Sequence, residues 1–139
     1  MNLPGPTRLV LWIAMTSSVI AGLLVLSVTD LDVSENAASP LKLPFYLVGI
    51  FLFLSGQSLR YFSNSVRDQN GKPKIPSWIS LAYLIALAIT EAVAILGVVI
   101  GLLGGSTVEY LPLFALSALG MVFLFPALFF RVESVIAEK

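Results

Sequence analysis

A single glutamate, Glu91, lies inside the apolar run AITEAVAILGVVIGLLGG at positions 88 to 105. A carboxyl group in such surroundings can exchange a proton or an ion, or it can hold a neighbouring helix through a hydrogen bond. Burial disfavours the charged form of a carboxyl group. We therefore expect Glu91 to be protonated unless a cation or a hydrogen-bond donor lies beside it. The sequence leaves both roles open.

The remaining composition excludes most other chemistry. The chain has 139 residues with no histidine and no cysteine, which removes disulfides, Cys/His zinc sites and nucleophilic catalysis by either residue. Its formal net charge is zero, and no long basic run indicates nucleic acid. We therefore predict no metal, no cofactor and no enzymatic activity.

The elements that must position Glu91 are membrane helices. Hydrophobic residues make up 58% of the chain and charged residues only 12%, too little charge for the surface of a soluble domain of this size. A helix needs roughly 20 apolar residues to cross a bilayer core of about 30 Å. We predict one all-α, four-helix transmembrane domain over residues 1–139. The predicted helices are at about 9–29, 43–62, 78–103 and 110–130.

The charge of the connecting segments predicts the orientation. Seven of the eight basic residues lie before the first predicted helix, at 60–74, or after the fourth helix. The segment at 30–42 carries three acidic residues and one lysine. The positive-inside rule assigns the basic side to the cytoplasm. We therefore predict cytoplasmic termini, in a bacterial inner membrane or an equivalent membrane.

The depth of Glu91 predicts its neighbours. Glu91 lies 13 residues after Trp78, about 20 Å along the helix and near the middle of the bilayer. No other predicted span has a charge at this depth, so Ser117 is the predicted hydrogen-bonding partner. The hydroxyl residues at 16–18 are expected to bond to their own backbone carbonyls. The other residues at the level of Glu91 are Ala21, Gly22, Val48, Gly49 and Ala118.

Small residues recur along the third predicted helix, mostly four residues apart, and therefore share one face. Such a face permits close helix packing, either within the chain or between chains. Glu91 points about 110° from the centre of this face, at 100° per residue. In the fourth helix, Pro126 is expected to free the carbonyl of Val122 and kink the helix. The predicted packing residues are Ala86, Thr90, Ala94, Gly97, Gly101 and Gly105.

The segment from about Arg67 to Gly101 resembles the proteolipid (subunit c) of rotary F-type ATP synthases. In that family an acidic residue is followed six residues later by a glycine, a pattern that Glu91 and Gly97 match within ITEAVAILGVVIG. RDQNGKP, at 67–73, is similar to a loosened form of the family's polar loop. The resemblance implies a ring of packed hairpins with Glu91 as the proton carrier on its outer face.

Two functions follow as hypotheses. The first is a small polytopic membrane protein with a structural or accessory role, which packs laterally through its small-residue helix faces. Its partners would be the lipid bilayer and either further copies, in a homo-oligomer, or the other subunits of a membrane complex. The alternative is a proteolipid-like component of a proton-translocating ring, in which Glu91 carries the proton.

Overall fold

The structure is a computed structural model that describes residues 4–28, 39–66, 69 and 77–130. Within these residues the chain is all-helical. Its elements are α1 (Gly5–Val28), a short 3₁₀ helix (Ser39–Leu41), α2 (Lys42–Ser65), α3 (Ile79–Leu102), α4 (Thr107–Phe123) and α5 (Pro126–Phe129).

Three of the helices, α1, α2 and α3, are long and apolar enough to cross a membrane, and α4 is a shorter apolar helix. A helix of 24 residues is about 36 Å long, which exceeds a bilayer core of about 30 Å. The prediction of an all-helical chain with the apolar helices of an integral membrane protein is therefore confirmed. Four complete spans and the orientation of the termini stay predictions.

The central helix of the bundle is α3, which packs against α1, α2 and α4. It contributes more of the core than α1, in which only Arg8, Val19 and Leu26 are buried. Contacts along the helices show that each long helix runs antiparallel to the one before it. The outer sides of α1 and α2 expose large apolar side chains along their length, as lipid-facing helices do.

The fourth predicted helix is interrupted before Pro126. Helix α4 ends at Phe123, and Phe125 is extended, with φ −53° and ψ 133°, because a residue that precedes proline is disfavoured in the helical region. The amide of Phe125 bonds instead to the carbonyl of Val122, at 3.2 Å. A continuous helix over 110–130 is therefore wrong, and the proline causes a break with a new short helix in place of a kink. The carbonyl of Met121 accepts the indole N–H of Trp12 in α1, at 2.7 Å.

Aromatic rings gather at the end of the bundle where α1 and α3 begin. The rings of Phe129 and Phe130 lie edge-on to Tyr83, with centroids 5.0 and 5.1 Å away. The guanidinium carbon of Arg8 lies 3.8 Å from the centroid of the Phe130 ring, which is cation–π geometry. Arg60 lies at the same end, over the ring of Phe123 at 5.8 Å. Most residues used for the charge-based orientation, at 30–38, 67–68, 70–76 and 131–139, lie outside the described residues.

The opposite end has an ion pair between the first residue of α2, Lys42, and Glu109 in the first turn of α4. The second carboxylate oxygen of Glu109 accepts the backbone N–H of Ser106, at 2.7 Å. The phenol of Tyr46 donates to the backbone carbonyl of Glu109. These contacts fix the start of α4 to the start of α2. The hydrogen bond from Lys42, followed by that from Ser106, lowers the pKa of Glu109 below its ordinary value of 4.5.

Candidate functional site at Glu91

Glu91 is the thirteenth of the 24 residues of α3 and therefore lies halfway along the helix. Its carboxylate Oε1 accepts a hydrogen bond from the hydroxyl of Ser18 in α1. Ser18 is exposed and Glu91 is partly exposed. The pair thus lies at the outer edge of the contact between α1 and α3, and we call this contact line the α1/α3 seam.

Ser18 differs from the other exposed or partly exposed serines of the helices. The hydroxyls of Ser55, Ser58 and Ser65 in α2 each donate to the carbonyl four residues earlier, at 2.7–2.8 Å. Such bonds satisfy a hydroxyl group without any partner and are common in apolar helices. Ser18 instead donates to a side chain of another helix, which corrects the expectation that its hydroxyl bonds to a backbone carbonyl of its own helix.

The start of α1 explains why Ser18, and not Ala21 or Gly22, lies at the level of Glu91. A predicted start at residue 9 places Ala21 and Gly22 at the depth of Glu91. The helix begins four residues earlier, at Gly5, and the same count from this start reaches positions 17 and 18. A helix start that is misplaced by one turn therefore shifts the residue expected at the depth of Glu91 from Ser18 to Ala21 or Gly22.

The structure does not place the predicted partner, Ser117, against Glu91. Ser117 is completely buried, and its hydroxyl donates to the backbone carbonyl of Thr90, at 2.8 Å. Thr90 precedes Glu91 in the chain, but consecutive residues of a helix point about 100° apart. Ser117 therefore joins α4 to α3 on the inner side, whereas Glu91 faces α1. This corrects the partner expected from the sequence.

The small-residue face of α3 is covered by the other helices of the same chain. A Cβ added at Gly97 would lie 2.9 Å from the ring of Phe114 in α4, and one added at Gly101 would lie 2.7 Å from Leu26 in α1. Gly105 lies beyond the end of α3, in a turn where its N–H bonds to the carbonyl of Ile100, at 2.9 Å. The predicted packing residues that are buried are Ala86, Thr90, Ala94, Gly97 and Gly101.

The buried side-chain atoms without a hydrogen-bond partner among the described residues include Oγ1 of Thr16, Nε2 of Gln57 and Oγ1 of Thr90. The Thr90 hydroxyl faces α2, where a Cβ added at Gly56 would lie 3.3 Å from it. Within the described part of the chain, no hydrogen bond connects these atoms to Glu91. The described interior is therefore partly polar near mid-height.

Glu91 has no ion-pair partner in the parts of the chain that the structure describes. Ser18 is its hydrogen-bond partner there, and the ion pair between Lys42 and Glu109 lies at one end of the bundle. No group of three or more acidic, histidine or cysteine residues that could hold a metal occurs in the described segments. A cation or second donor for the carboxyl group would therefore come from outside the described residues.

These features define the chain as an all-helical protein with apolar helices of membrane-spanning length and one carboxyl group at the edge of the bundle. No protein-family model matches the sequence, and comparisons with curated proteins and with solved structures likewise give no match. Evidence for a function therefore comes from the geometry of Glu91 and its surroundings.

Proposed function

We propose that this chain is a four-span integral membrane protein with a structural or accessory role in a larger membrane complex. Its termini would face the cytoplasm, in a bacterial inner membrane or an equivalent membrane. The observation that carries the proposal is the outward position of Glu91 at mid-helix. An acidic residue at the centre of a bilayer costs about 2.5–3.5 kcal/mol, and a neighbouring chain that covers the α1/α3 seam would reduce that cost.

The covered small-residue face also supports this role. Because Gly97 and Gly101 already contact α4 and α1 of the same chain, the face cannot mediate close packing between chains unless the bundle opens. Contacts with other proteins would therefore use the outer sides of the helices. This favours an accessory subunit over a member of a closed ring that packs through its glycines.

The alternative is a proteolipid-like component in which Glu91 carries a proton. Its support is the partial exposure of Glu91 beside a serine hydroxyl, since a single hydrogen bond can be exchanged when the carboxyl group gains or loses a proton. In the family that the segment resembles, the acid also lies on the outer face of the assembly.

The assembly state separates the two functions. The chain is extracted from its native membrane in a mild detergent, and the mass of the assembly is measured by native mass spectrometry. An accessory subunit is expected as one copy within a heteromeric assembly, whereas a closed ring of identical chains would refute this role and support the alternative. Proton flux in vesicles is measured in parallel for wild type and Glu91→Gln. A flux that depends on Glu91 would support the proton carrier.

The orientation has its own test, which the cysteine-free sequence makes simple. Single cysteines are introduced as Ser34→Cys and Asn70→Cys and labelled in intact cells with a reagent that does not cross membranes. Under the proposed orientation, position 34 is labelled and position 70 only after the membrane is permeabilised. The reverse pattern would overturn the orientation without affecting the proposed role.

A further inference from the structure

Small side chains lie around the pair of Glu91 and Ser18, and the larger Ile95, which is 55% exposed, lies one turn further along α3. On either side of the pair the helices present alanines, three of them exposed and one partly exposed. Small residues allow the backbone of another helix to approach closely. A further helix lying along the α1/α3 seam could therefore come within side-chain reach of the carboxyl group. The flanking alanines are Ala14 and Ala21 on α1 and Ala88 and Ala92 on α3.

The carboxyl group is held at one oxygen only. Ser18 donates to Oε1, and Oε2 has no hydrogen-bond partner among the described residues. The hydrogen bond fixes the side chain at the seam and leaves the second oxygen for a group that approaches from outside. In an apolar medium an ionised carboxylate is stabilised most by a cation that also donates hydrogen bonds.

The chain's own described cations are engaged elsewhere. Lys42 pairs with Glu109, and Arg8 and Arg60 lie over aromatic rings at the other end of the bundle. Arg8 is ten residues before Ser18 in α1, about 15 Å along the helix axis. None of the described cations therefore lies beside Glu91 at mid-height.

We propose that the α1/α3 seam is the docking site for a transmembrane helix of another protein that carries one lysine or arginine near its midpoint. This inference rests on the proposed accessory role and names the chemistry of the partner. A second copy of this chain fits the site less well, because the same seam would bring another carboxyl group instead of a cation. Charge complementarity at a fixed depth would also set the register of the partner helix.

The test uses the full chain in lipid vesicles and a synthetic apolar helix of about 21 residues, long enough to span the bilayer. One peptide has a central lysine, and the matched peptide has norleucine there. Association is measured by energy transfer between a dye on the peptide and a dye on the chain. We expect the lysine peptide to bind at least about tenfold more tightly, equivalent to about 1.4 kcal/mol.

The variants locate the effect. Glu91→Gln keeps an acceptor for Ser18 but removes the charge, and it should abolish the preference for lysine. Ala92→Leu should weaken binding of both peptides because the added side chain obstructs the seam. Glu109→Gln removes an acid at the end of the bundle and serves as the matched control, with the preference unchanged.

Three results would overturn the docking site. The first is equal binding of the two peptides, and the second is a preference for lysine that persists in Glu91→Gln. The third is self-association of the wild-type chain that Glu91→Gln removes, because the occupant of the site would then be a second copy. These results do not decide the accessory role itself. If the native assembly still contains one copy among other subunits, that role stands and only the site at Glu91 is refuted.

Discussion

Gly97 occupies a position where α3 and α4 pack without space for a side chain. A Cβ added there would lie 2.9 and 3.0 Å from two ring carbons of Phe114 and 3.3 Å from the backbone oxygen of Tyr110. Carbon atoms in favourable contact are about 3.5–4.0 Å apart, so the ring must move by roughly 0.5–1 Å. Phe114 is itself buried, and the carbonyl belongs to the backbone of α4, so neither neighbour can move freely.

The expected cost of Gly97→Ala follows from two opposing effects. Overpacking of a core costs about 1–3 kcal/mol, whereas alanine stabilises a helix interior by about 0.5–1 kcal/mol relative to glycine. We expect the free energy of unfolding to fall by about 0.5–2 kcal/mol, roughly a 2- to 30-fold change in the folding equilibrium. Gly101→Ala should cost less, because the atoms it meets, at 2.7 Å, are the flexible end of Leu26.

Reversible unfolding in mixed micelles with increasing SDS measures these differences, with the fluorescence of the two tryptophans as the signal. Gly5→Ala is the matched control, because nothing lies within 4 Å of a Cβ at that position. In the Gly97→Ala background, Phe114→Leu should cost less than it does in the wild type, since the smaller side chain relieves the contact. If Gly97→Ala is as stable as Gly5→Ala, the packing argument for the small-residue face is refuted.

Two further perturbations test the ends of the bundle. Because the hydrogen bond from Lys42 lowers the pKa of Glu109 below 4.5, the pair's contribution to stability is complete above about pH 4.5 and is lost as the pH falls through the lowered value. Glu109→Gln should flatten this part of the pH profile of unfolding. Trp12→Phe removes the indole N–H that the carbonyl of Met121 accepts at 2.7 Å. It should cost about 0.5–2 kcal/mol in the same SDS assay.

Each of these has a result that would contradict it. For the ion pair, the prediction fails if Glu109→Gln loses as much stability as the wild type when the pH falls below 4.5. Lys42→Met is the complementary variant. For the indole, the prediction fails if the Trp12→Phe protein is as stable as the wild type. The hydrogen bond would then contribute nothing, and the ring contact with Phe125 would account for the contribution of Trp12. Trp78→Phe is the control, since the Trp78 side chain is 43% exposed.

The sequence was sufficient to predict three long apolar helices and the position of Glu91 halfway along the third. Runs of apolar residues determine where helices of spanning length form, and Glu91 falls halfway along α3 as expected. The burial of Gly97 and Gly101 agrees with the predicted close-packing face. These features are local, since they depend on the composition and periodicity of one segment.

The features that could not be predicted depend on two segments at once. Whether Glu91 meets Ser18 or Ser117 depends on where α1 begins and on which side of α3 each helix packs. The helix break before Pro126 is a local effect of proline, but the use of the freed Met121 carbonyl by Trp12 is not. Gly105 continued the spacing of the small residues, yet the turn at Gly104, with φ 82°, places it outside the helix.

The position of Ser18 gives α1 a role beyond packing. Few residues of this helix are buried, and its contacts with the bundle include Arg8 over the Phe130 ring, the Trp12 bond, the Leu26–Gly101 contact and the bond to Glu91. If a partner's cation drew the carboxyl group away from Ser18, the hydroxyl could still bond to its own helix, as the α2 serines do. Under the proposed docking, Ser18 would hold Glu91 at the seam before a partner arrives and would bond to its own helix afterwards.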